Sequence, residues 1–208
     1  MNVPAEQLIV FVKAPRPGAV KTRLAKTIGT AAACAAYRSL VETLLDRLQS
    51  LSAVELRYSP DDAGCEIERW RRGSWTRRPQ GAGNLGQRLM SAFEQAFGAG
   101  ASRVVIIGSD CPAVMVRDIR EAWKSLHTHD VVLGPASDGG YWLVGSSRPL
   151  PQLFEDMAWS TDRVFGETIE RIWRGGFTVQ VLRELPDVDT ERDWRAFRAG
   201  WNRDGIKT

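Results

Sequence analysis

A loop rich in cationic side chains follows the first apolar stretch of the chain, Leu8 to Val12. The fourteen residues from Lys13 to Lys26 include five basic side chains, and Gly18 among them would let the backbone approach a ligand closely. Ammonium and guanidinium groups bind phosphate oxygens, so this composition indicates an anion cradle; a solvated basic turn is the alternative. The five cations are Lys13, Arg16, Lys21, Arg23 and Lys26.

Carboxylates suited to a metal ion follow two further strand-like stretches. Asp110 comes directly after the β-branched run Val104 to Ile107, and Asp187 and Asp189 follow the last strand-like stretch. Mg²⁺ is commonly bound by one or two carboxylates together with substrate phosphates. Asp110 is therefore the best candidate ligand, with a helix cap or turn as its alternative role. Asp187 and Asp189 lie on one side of an extended segment and either share a cation or belong to an exposed turn.

A turn sequence supplies a further carboxylate. Asp138 is followed by Gly139 and Gly140, which is ordinary hairpin-turn chemistry. The functional alternative gives Asp138 a hydrogen bond to a hydroxylated substrate, with Tyr141 or Trp142 as an apolar wall. The segment that begins at Trp159 is a candidate for a second wall.

Two nucleotide-binding motifs are only partly present. Lys21-Thr22 resembles the end of a Walker A loop, but Pro15 and Val20 stand where that motif needs glycine. The residues from Gly81 to Gly86 match G-x-G-x-x-G, but the segment Ser74 to Gln80 before them is polar and contains proline, and no acidic residue stands about 20 positions later. A P-loop NTPase and a Rossmann dinucleotide site are both disfavoured. The glycine-rich turn is still suited to a nucleotide's base or ribose, through Gly83, Leu85, Gly86 and Arg88.

Strand-like stretches alternate with helical periodicity along the chain, which predicts an α/β sandwich of three layers. A turn at 137–140 parts two short strands, and a parallel crossover would not fit it, so one strand of an otherwise parallel sheet is predicted to be antiparallel. In such sheets ligands bind beyond the carboxyl ends of the strands. Helices are predicted over 30–51, near 61–72, and over 85–97, 116–126, 161–173 and 190–201, the last capped by Thr190 with Asp193.

Length and composition limit the classes of protein to which the chain can belong. The 208 residues are 43% hydrophobic with a formal charge of +3, which predicts a single domain over 1–208 and excludes nucleic-acid binding through bulk charge. No apolar run is long enough for a membrane span and no signal peptide is evident, so a cytoplasmic location is expected. Three cysteines without C-x-x-C spacing, and two histidines, support neither a disulfide framework nor a zinc site.

Tryptophan is abundant, with eight copies. Arginines interleave with Trp70 and Trp75, but a solvated helix face is favoured over RNA stacking. If exposed, these two rings would line a dimer or acceptor surface. Trp123, Trp173 and Trp194, at helical positions, are expected to pack in cores.

Taken together, the motifs resemble the DUF2064 family of small bacterial proteins within the nucleotide-diphospho-sugar transferase superfamily, which has a glycosyltransferase-A fold and includes the related 2-phospho-lactate guanylyltransferase. The resemblance implies a mixed, mostly parallel sheet, a basic first loop directed at phosphates, and Mg²⁺ or Mn²⁺ on Asp110 and Asp189. The chain departs from its relatives at Asn84, where aspartate is common, and at Glu191-Arg192, where proline and glutamate are common. The motifs are KAPxPGxVKTRL from Lys13, QGxGxLGxRL from Gln80, GSDCP from Gly108, GPAxDGGY from Gly134, WSTDRV from Trp159 and DVDT from Asp187.

The expected activity is a metal-dependent transfer from a nucleotide donor to a small-molecule acceptor. Lys13, Lys21 and Arg23 would neutralise the leaving phosphate, and Asp138 would bind the acceptor. A glycosyltransferase that uses an NDP-sugar is preferred because of the family label. Alternatives are a nucleotidyltransferase that releases pyrophosphate and a non-catalytic nucleotide-binding protein. The sequence is compatible with a homodimer.

Overall fold

Seven strands form one mixed sheet in the described part of the chain, residues 5–201 of a computed structural model. They are β1 (Glu6–Lys13), β2 (Val54–Ser59), β3 (Thr76–Pro79), β4 (Arg103–Gly108), β5 (Val131–Pro135), β6 (Tyr141–Ser146) and β7 (Val179–Val181). Their spatial order is β3-β2-β1-β4-β6-β5-β7. All neighbours are parallel except the two pairs that involve β6. The predicted single antiparallel strand is thereby confirmed.

Helices cover both faces of this sheet. Along β1 the side chains alternate, so that Leu8 packs with the helices on one face of the sheet and Ile9 packs with the helices on the other. This confirms the predicted α/β sandwich of three layers. The helices are α1 (Thr22–Ile28), α2 (Thr30–Leu48), α3 (Gly64–Glu68), α4 (Leu85–Gly98), α5 (Val116–Ser125), α6 (Val164–Arg174) and α7 (Glu191–Trp201), with a short 3₁₀ helix at Pro151–Leu153.

The parallel registers bring several loops to one edge of the sheet. In the register of β1 and β2, Lys13 lies opposite Ser59, and in that of β1 and β4, Phe11 lies opposite Gly108. The strands therefore end together, and the loops that follow them begin side by side. The cationic loop and the loop that carries Asp110 are neighbours for this reason.

Two segments differ from the sequence-based expectation. The cationic loop is shorter than predicted, because α1 begins at Thr22 directly after Lys21. The segment Ser74 to Gln80, rejected as a buried strand, contains β3, an exposed strand at the edge of the sheet. An edge position tolerates polar side chains and a terminal proline, which explains why β3 has no apolar pattern.

The structure answers the conditional expectation for Trp70 and Trp75 and shows the expectation for Trp173 to be wrong. Trp70 and Trp75 are each 1% exposed and line no surface; Trp75 Nε1 donates to the Leu51 carbonyl oxygen at 2.6 Å. Trp173, expected in a core, is 66% exposed. Trp123 is buried as predicted, and Trp194 is half-buried against the cluster formed by α1 and α2. Trp173 lies just outside the apolar stripe of α6. Helical periodicity in a sequence does not distinguish a position within such a stripe from one at its margin.

No helix in residues 5–201 combines the length and the apolar character that crossing a lipid bilayer requires.

Candidate functional site

The Lys21 ammonium lies between two carboxylates at the carboxyl edge of the sheet. Its Nζ is 2.5 Å from Asp110 Oδ1 and donates a hydrogen bond of 2.9 Å to Asp189 Oδ1. The Lys21 side chain is 3% exposed, whereas those of Asp110 and Asp189 are 53% and 35% exposed. The three residues come from three separate loops, so the fold brings together what the sequence keeps far apart.

Backbone and side-chain hydrogen bonds tie these loops to one another. The backbone N–H of Val188 donates to the carbonyl oxygen of Asp110 at 3.0 Å, which joins the segment of Asp189 to the loop after β4. The buried Tyr37 hydroxyl accepts from the backbone N–H of Lys13 at 2.8 Å and shares a hydrogen bond of 3.0 Å with Ser109 Oγ. The cationic loop is thereby linked to the loop that carries Asp110. Sequence reasoning assigned no role to Tyr37 or to Ser109, although Ser109 lies within the GSDCP motif.

The end of the Asp189 segment is held by the helix that follows it. Asp193 Oδ2 accepts from the backbone N–H of Thr190 at 2.8 Å and from that of Asp189 at 3.3 Å. Thr190 Oγ1 in turn accepts from Asp193 N at 3.4 Å, so the predicted relative of the capping box is confirmed. The hydrogen bonds from Thr190 and Asp189 hold the pKa of Asp193 below its usual range even though burial opposes this.

Lys21 adopts an unusual backbone conformation. With φ 47° and ψ 48° it lies in the left-handed helical region, which costs a residue with a Cβ about 1–2 kcal/mol. Its ion pairs with Asp110 and Asp189 oppose this strain. Burial lowers the pKa of Lys21, but attraction by the two carboxylates outweighs burial and the net pKa lies above the ordinary value. The ammonium therefore stays protonated.

A further carboxyl, that of Asp187, lies at this edge. Burial, together with repulsion from Asp138, Asp110 and Asp189, raises the pKa of Asp187 to about 7. Asp187 and Asp189 are both half-buried, so they do not form a fully exposed turn. Such a group of carboxyls attracts cations.

The donor set fits a divalent cation held by two carboxylates rather than by a complete protein cage. Among residues 5–201, no three histidine, cysteine or acidic side chains are grouped closely enough to hold a metal ion. Asp110 and Asp189 nevertheless converge on a single ammonium nitrogen, so one cation reaches both. Mg²⁺ and Mn²⁺ accept phosphate oxygens and water as their remaining ligands. Two carboxylates suffice for a cation whose remaining ligands come from water or from phosphate oxygens.

The other cations of the first loop divide into two groups. Arg23 Nη1 lies 3.6 Å from Asp189 Oδ2, and Lys13 is exposed at the same edge. Gly18 has φ +84°, a conformation that glycine adopts without strain. Arg16 instead pairs with Glu66 at 2.6 Å and Asp62 at 3.2 Å, which directs it towards α3. The structure thus brings Lys21 and Arg23 into the carboxylate cluster and leaves Arg16 out of it.

The glycine-rich turn begins α4 at the same edge. Gly83 has φ +97°, and Asn84 caps the helix, since its Oδ1 accepts from Gln87 N at 3.0 Å. Asn84 therefore serves as a helix cap and contributes no charge. Leu85 is 43% exposed, and Gly86 packs so closely against the Phe154 carbonyl and the Trp159 ring that a Cβ would collide with them.

Arg88 extends from this helix towards the ends of the strands. Its Nη1 donates to Gln80 Oε1 at 3.3 Å and reaches Ser59 Oγ at 3.5 Å, while its buried Nε has no partner in the described part of the chain. Gln80 Nε2 in turn donates to the carbonyl oxygens of Val12 at 3.1 Å and Arg57 at 3.0 Å. Ser59 and Gln80 are polar groups beside Arg88 that sequence reasoning missed.

The hairpin turn of Asp138 contacts the segment before α6. Asp138 is exposed, and its Oδ1 accepts from Gly140 N at 2.9 Å, as in the turn predicted as its ordinary role. The ring of Tyr141 meets that of Trp159 edge-on, with centroids 6.4 Å apart. Trp142, proposed as a wall, is instead buried in the core, 3% exposed, because its position on β6 faces the sheet's other side.

Comparisons with known proteins show the family and the fold of the chain. The sequence profile of DUF2064, described as uncharacterized proteins conserved in bacteria, matches residues 44–161. A crystal structure of a candidate nucleotide-diphospho-sugar transferase from Desulfovibrio desulfuricans G20 is 32% identical, with a TM-score of 0.89 over 97% of this chain and 89% of that chain. The chain belongs to the DUF2064 family. The resemblance inferred from the motifs is confirmed, and no curated protein matches this DUF2064 chain.

More distant structures share the fold of this DUF2064 protein. The 4-diphosphocytidyl-2C-methyl-D-erythritol synthase from Anaerococcus prevotii DSM 20548 is 11% identical, with a TM-score of 0.62 over 96% of this chain and 100% of that chain. The manganese complex of Rv0371c from Mycobacterium tuberculosis H37Rv is 16% identical, with a TM-score of 0.55 over 93% of this chain and 97% of that chain. At these identities the likeness concerns the fold alone.

Proposed function

We propose that this protein is a divalent-metal-dependent transferase that uses a nucleotide donor, with an NDP-sugar as the first candidate donor and a small hydroxylated molecule as the acceptor. The observation that carries the proposal is the convergence of Asp110 and Asp189 on one cationic position, beside a loop of further cations. A nucleotide diphosphate needs both a metal and fixed positive charges. The similar protein from Desulfovibrio desulfuricans supports the choice of donor.

Each part of the site then has a task. Asp110 and Asp189 hold Mg²⁺ or Mn²⁺, which supplies positive charge to the phosphate oxygens. Lys13, Lys21 and Arg23 bind the phosphates and stabilise the negative charge of the departing group, and this stabilisation is the main source of catalysis. The acceptor hydroxyl donates a hydrogen bond to Asp138.

The glycine-rich turn binds the nucleoside end of the donor in this proposal. Gly18 and Gly83 let the backbone approach the donor. Leu85 and Gly86 are the first residues of α4, and they bring the start of this helix next to the donor. The guanidinium of Arg88, beside Ser59 and Gln80, would donate to a base or ribose oxygen.

A nucleotidyltransferase is the second candidate, because the cationic loop also suits a triphosphate. Here an acceptor phosphate attacks the α-phosphate of an NTP, the bond between the α- and β-phosphates breaks, and pyrophosphate leaves with the electron pair. Pyrophosphate carries more negative charge than the departing group of a sugar transfer, and in this candidate Lys13, Lys21 and Arg23 would neutralise that charge. The fold shared with a diphosphocytidyl synthase is consistent with this candidate.

The experiment is a panel of nucleotides with and without Mn²⁺ or Mg²⁺. We expect at least one of UDP, GDP, CDP and their sugar conjugates, or GTP and CTP, to raise the melting temperature only when metal is present. Release of NDP from a sugar conjugate would identify sugar transfer, and pyrophosphate release would identify nucleotidyl transfer. Metal-dependent binding with neither product for any acceptor would indicate a nucleotide-binding protein without turnover, and no stabilisation by any nucleotide would refute the proposal.

A further inference from the structure

We propose that Lys21 competes with the divalent cation for Asp110 and Asp189, so that the cation binds tightly only together with the phosphates of a nucleotide. Before the nucleotide binds, Lys21 holds the two carboxylates together, and it turns towards the phosphates when they arrive. This inference rests on the proposed function and adds an order of binding to it.

The first observation is that Lys21 uses the oxygens that a metal would need. Its Nζ contacts Oδ1 of both Asp110 and Asp189, at 2.5 and 2.9 Å. The other oxygen of Asp189, Oδ2, faces Arg23 at 3.6 Å. A divalent cation therefore meets carboxylates that are already paired, and it has to displace the ammonium to reach the shared position.

The second observation is that the backbone of Lys21 is fixed in position. Its carbonyl oxygen accepts the first hydrogen bond of α1, from Ala25 N at 2.8 Å, and its φ of 47° is a conformation with little room on either side. The ammonium must leave by rotation about the bonds of its own flexible stem. With the Cα fixed at the edge of the site, the Nζ stays within reach of a phosphate bound there.

The balance of charges sets the direction of the effect. Without a cation between them, two carboxylates this close repel one another, so an empty position is unfavourable and Lys21 fills it. Displacing the buried ammonium without a new partner would leave its charge unpaired, which is costly. Phosphate oxygens offer it a new partner, so they lower the cost of displacement. Metal and nucleotide therefore strengthen each other's binding, and the coupling is reciprocal.

The test is a titration with Mn²⁺ in which free Mn²⁺ is measured by electron paramagnetic resonance, alone and with UDP, GDP or GTP. For the wild type we expect weak binding of Mn²⁺ alone and a tenfold or greater gain when the nucleotide is present. For Lys21→Met we expect at least tenfold tighter binding of Mn²⁺ alone and a nucleotide-dependent gain that falls towards unity. A merely structural role for Lys21 predicts weaker binding in both cases.

Two further variants separate charge from packing. Lys21→Arg keeps the positive charge and should bind Mn²⁺ alone as weakly as the wild type. Lys124→Met removes the same charge from an exposed position on α5 and should match the wild type throughout. If Lys21→Met does not fold, as judged by its melting transition, Lys21→Gln takes its place with the same expectation.

The results also distinguish this inference from the proposed function. Binding of Mn²⁺ alone to Lys21→Met or Lys21→Gln that is no tighter than to the wild type would overturn the competition, whatever nucleotides do. If no nucleotide binds the wild type but Lys21→Met binds Mn²⁺ alone tightly, the competition stands and the nucleotide function falls.

Discussion

Arg183 makes a two-pronged ion pair with Asp118, in which Nε donates to Oδ1 and Nη2 donates to Oδ2, both at 2.8 Å. The pair joins the segment after β7 to the start of α5. Asp118 is buried, with a 3% exposed side chain, and its Oδ2 also accepts from the backbone N–H of Met115 at 2.8 Å. The one carboxylate therefore serves both as a helix cap and as a clamp between two elements.

Because the carboxylate is buried and the guanidinium is 43% exposed, the two ends of this pair are not equivalent. We expect Arg183→Met to cost about 2–4 kcal/mol of unfolding free energy, since it leaves a buried charge with only a backbone partner. Asp118→Asn should cost less, because the freed Arg183 remains solvated. Urea unfolding of both single variants and the double variant measures this, and an equal cost for the two single changes would contradict it.

Asp110 is expected to be needed for metal-dependent nucleotide binding. Asp110→Asn keeps the size of the side chain but halves the formal negative charge that faces Lys21, so we expect at least a tenfold loss of affinity for the metal–nucleotide complex, about 1.4 kcal/mol. Calorimetry with Mn²⁺ and the best nucleotide from the panel measures this loss. The matched control is Asp46→Asn, which alters an exposed ion pair between Asp46, on α2, and Arg72. Unchanged affinity in Asp110→Asn would remove the proposed metal ligand.

Stability should depend on pH through Asp130, which ties β5 to the start of β7. Its Oδ2 accepts from the backbone N–H and the hydroxyl of Thr178, both at 2.9 Å, and it pairs with Arg148. The backbone hydrogen bond from Thr178, followed by the hydroxyl and Arg148, holds the pKa of Asp130 below its usual range despite burial. The folded state therefore binds this proton more weakly than the unfolded state, so the stabilisation is fully present above about pH 4 and is lost as the pH falls through the folded value.

Asp130→Asn removes the charge while keeping the shape. We expect a loss of about 1–2 kcal/mol near neutral pH, and we expect that difference from the wild type to shrink as the solution is acidified below about pH 4. Urea unfolding over a pH series measures it. Glu170→Gln, which alters an exposed pair with Arg174 on α6, should change stability by less than about 0.5 kcal/mol. A constant difference between Asp130→Asn and the wild type at every pH would refute the assignment.

The three thiols should differ sharply in reactivity. Cys65 is exposed, whereas Cys34 and Cys111 are buried. Burial, with repulsion from Asp187, raises the pKa of Cys111 to about 12, and its Sγ contacts the Pro186 carbonyl oxygen at 3.3 Å. Since the thiolate is the reactive form, an aromatic disulfide reagent at mildly alkaline pH should label one thiol quickly in the folded protein.

Cys65→Ser should abolish that fast reaction, and unfolding in urea should expose the remaining two thiols. Rapid labelling of a second thiol in the folded protein would show that the loop of Cys111, next to Asp110, opens readily. Bound metal and nucleotide should slow any such opening further.

How far the sequence could predict this molecule depends on whether the signal is local. The apolar run of β1, the apolar stripe of α2 and the turn between β5 and β6 are local patterns, and all three elements were predicted. The position of Lys21 depends on two distant carboxylates, and the contact of Tyr37 with Ser109 joins a helix to a loop across the fold. Neither contact produces a local sequence pattern from which it could be predicted.

Burial of single side chains was harder to predict than the elements themselves. Trp70 and Trp75 lie among arginines in the sequence, yet they are buried because the arginines beside them extend to exposed acidic partners such as Glu68 and Asp46. A long cationic side chain reaches water from a position whose neighbour is in the core. Charge in the sequence therefore masks buried aromatic rings.

Two helical glycines should respond to alanine with opposite signs. Gly166 on α6 has open space where a Cβ would stand, whereas at Gly86 on α4 the Cβ would collide with the Phe154 carbonyl oxygen and crowd the Trp159 ring. Alanine favours a helix over glycine by about 1 kcal/mol, so Gly166→Ala should raise the melting temperature. At Gly86 the collision with backbone outweighs this gain, and we expect a net loss of about 1–3 kcal/mol. Calorimetric melting of the two variants compares them directly, and equal stabilisation by both would show that the segment around Trp159 is not packed against α4.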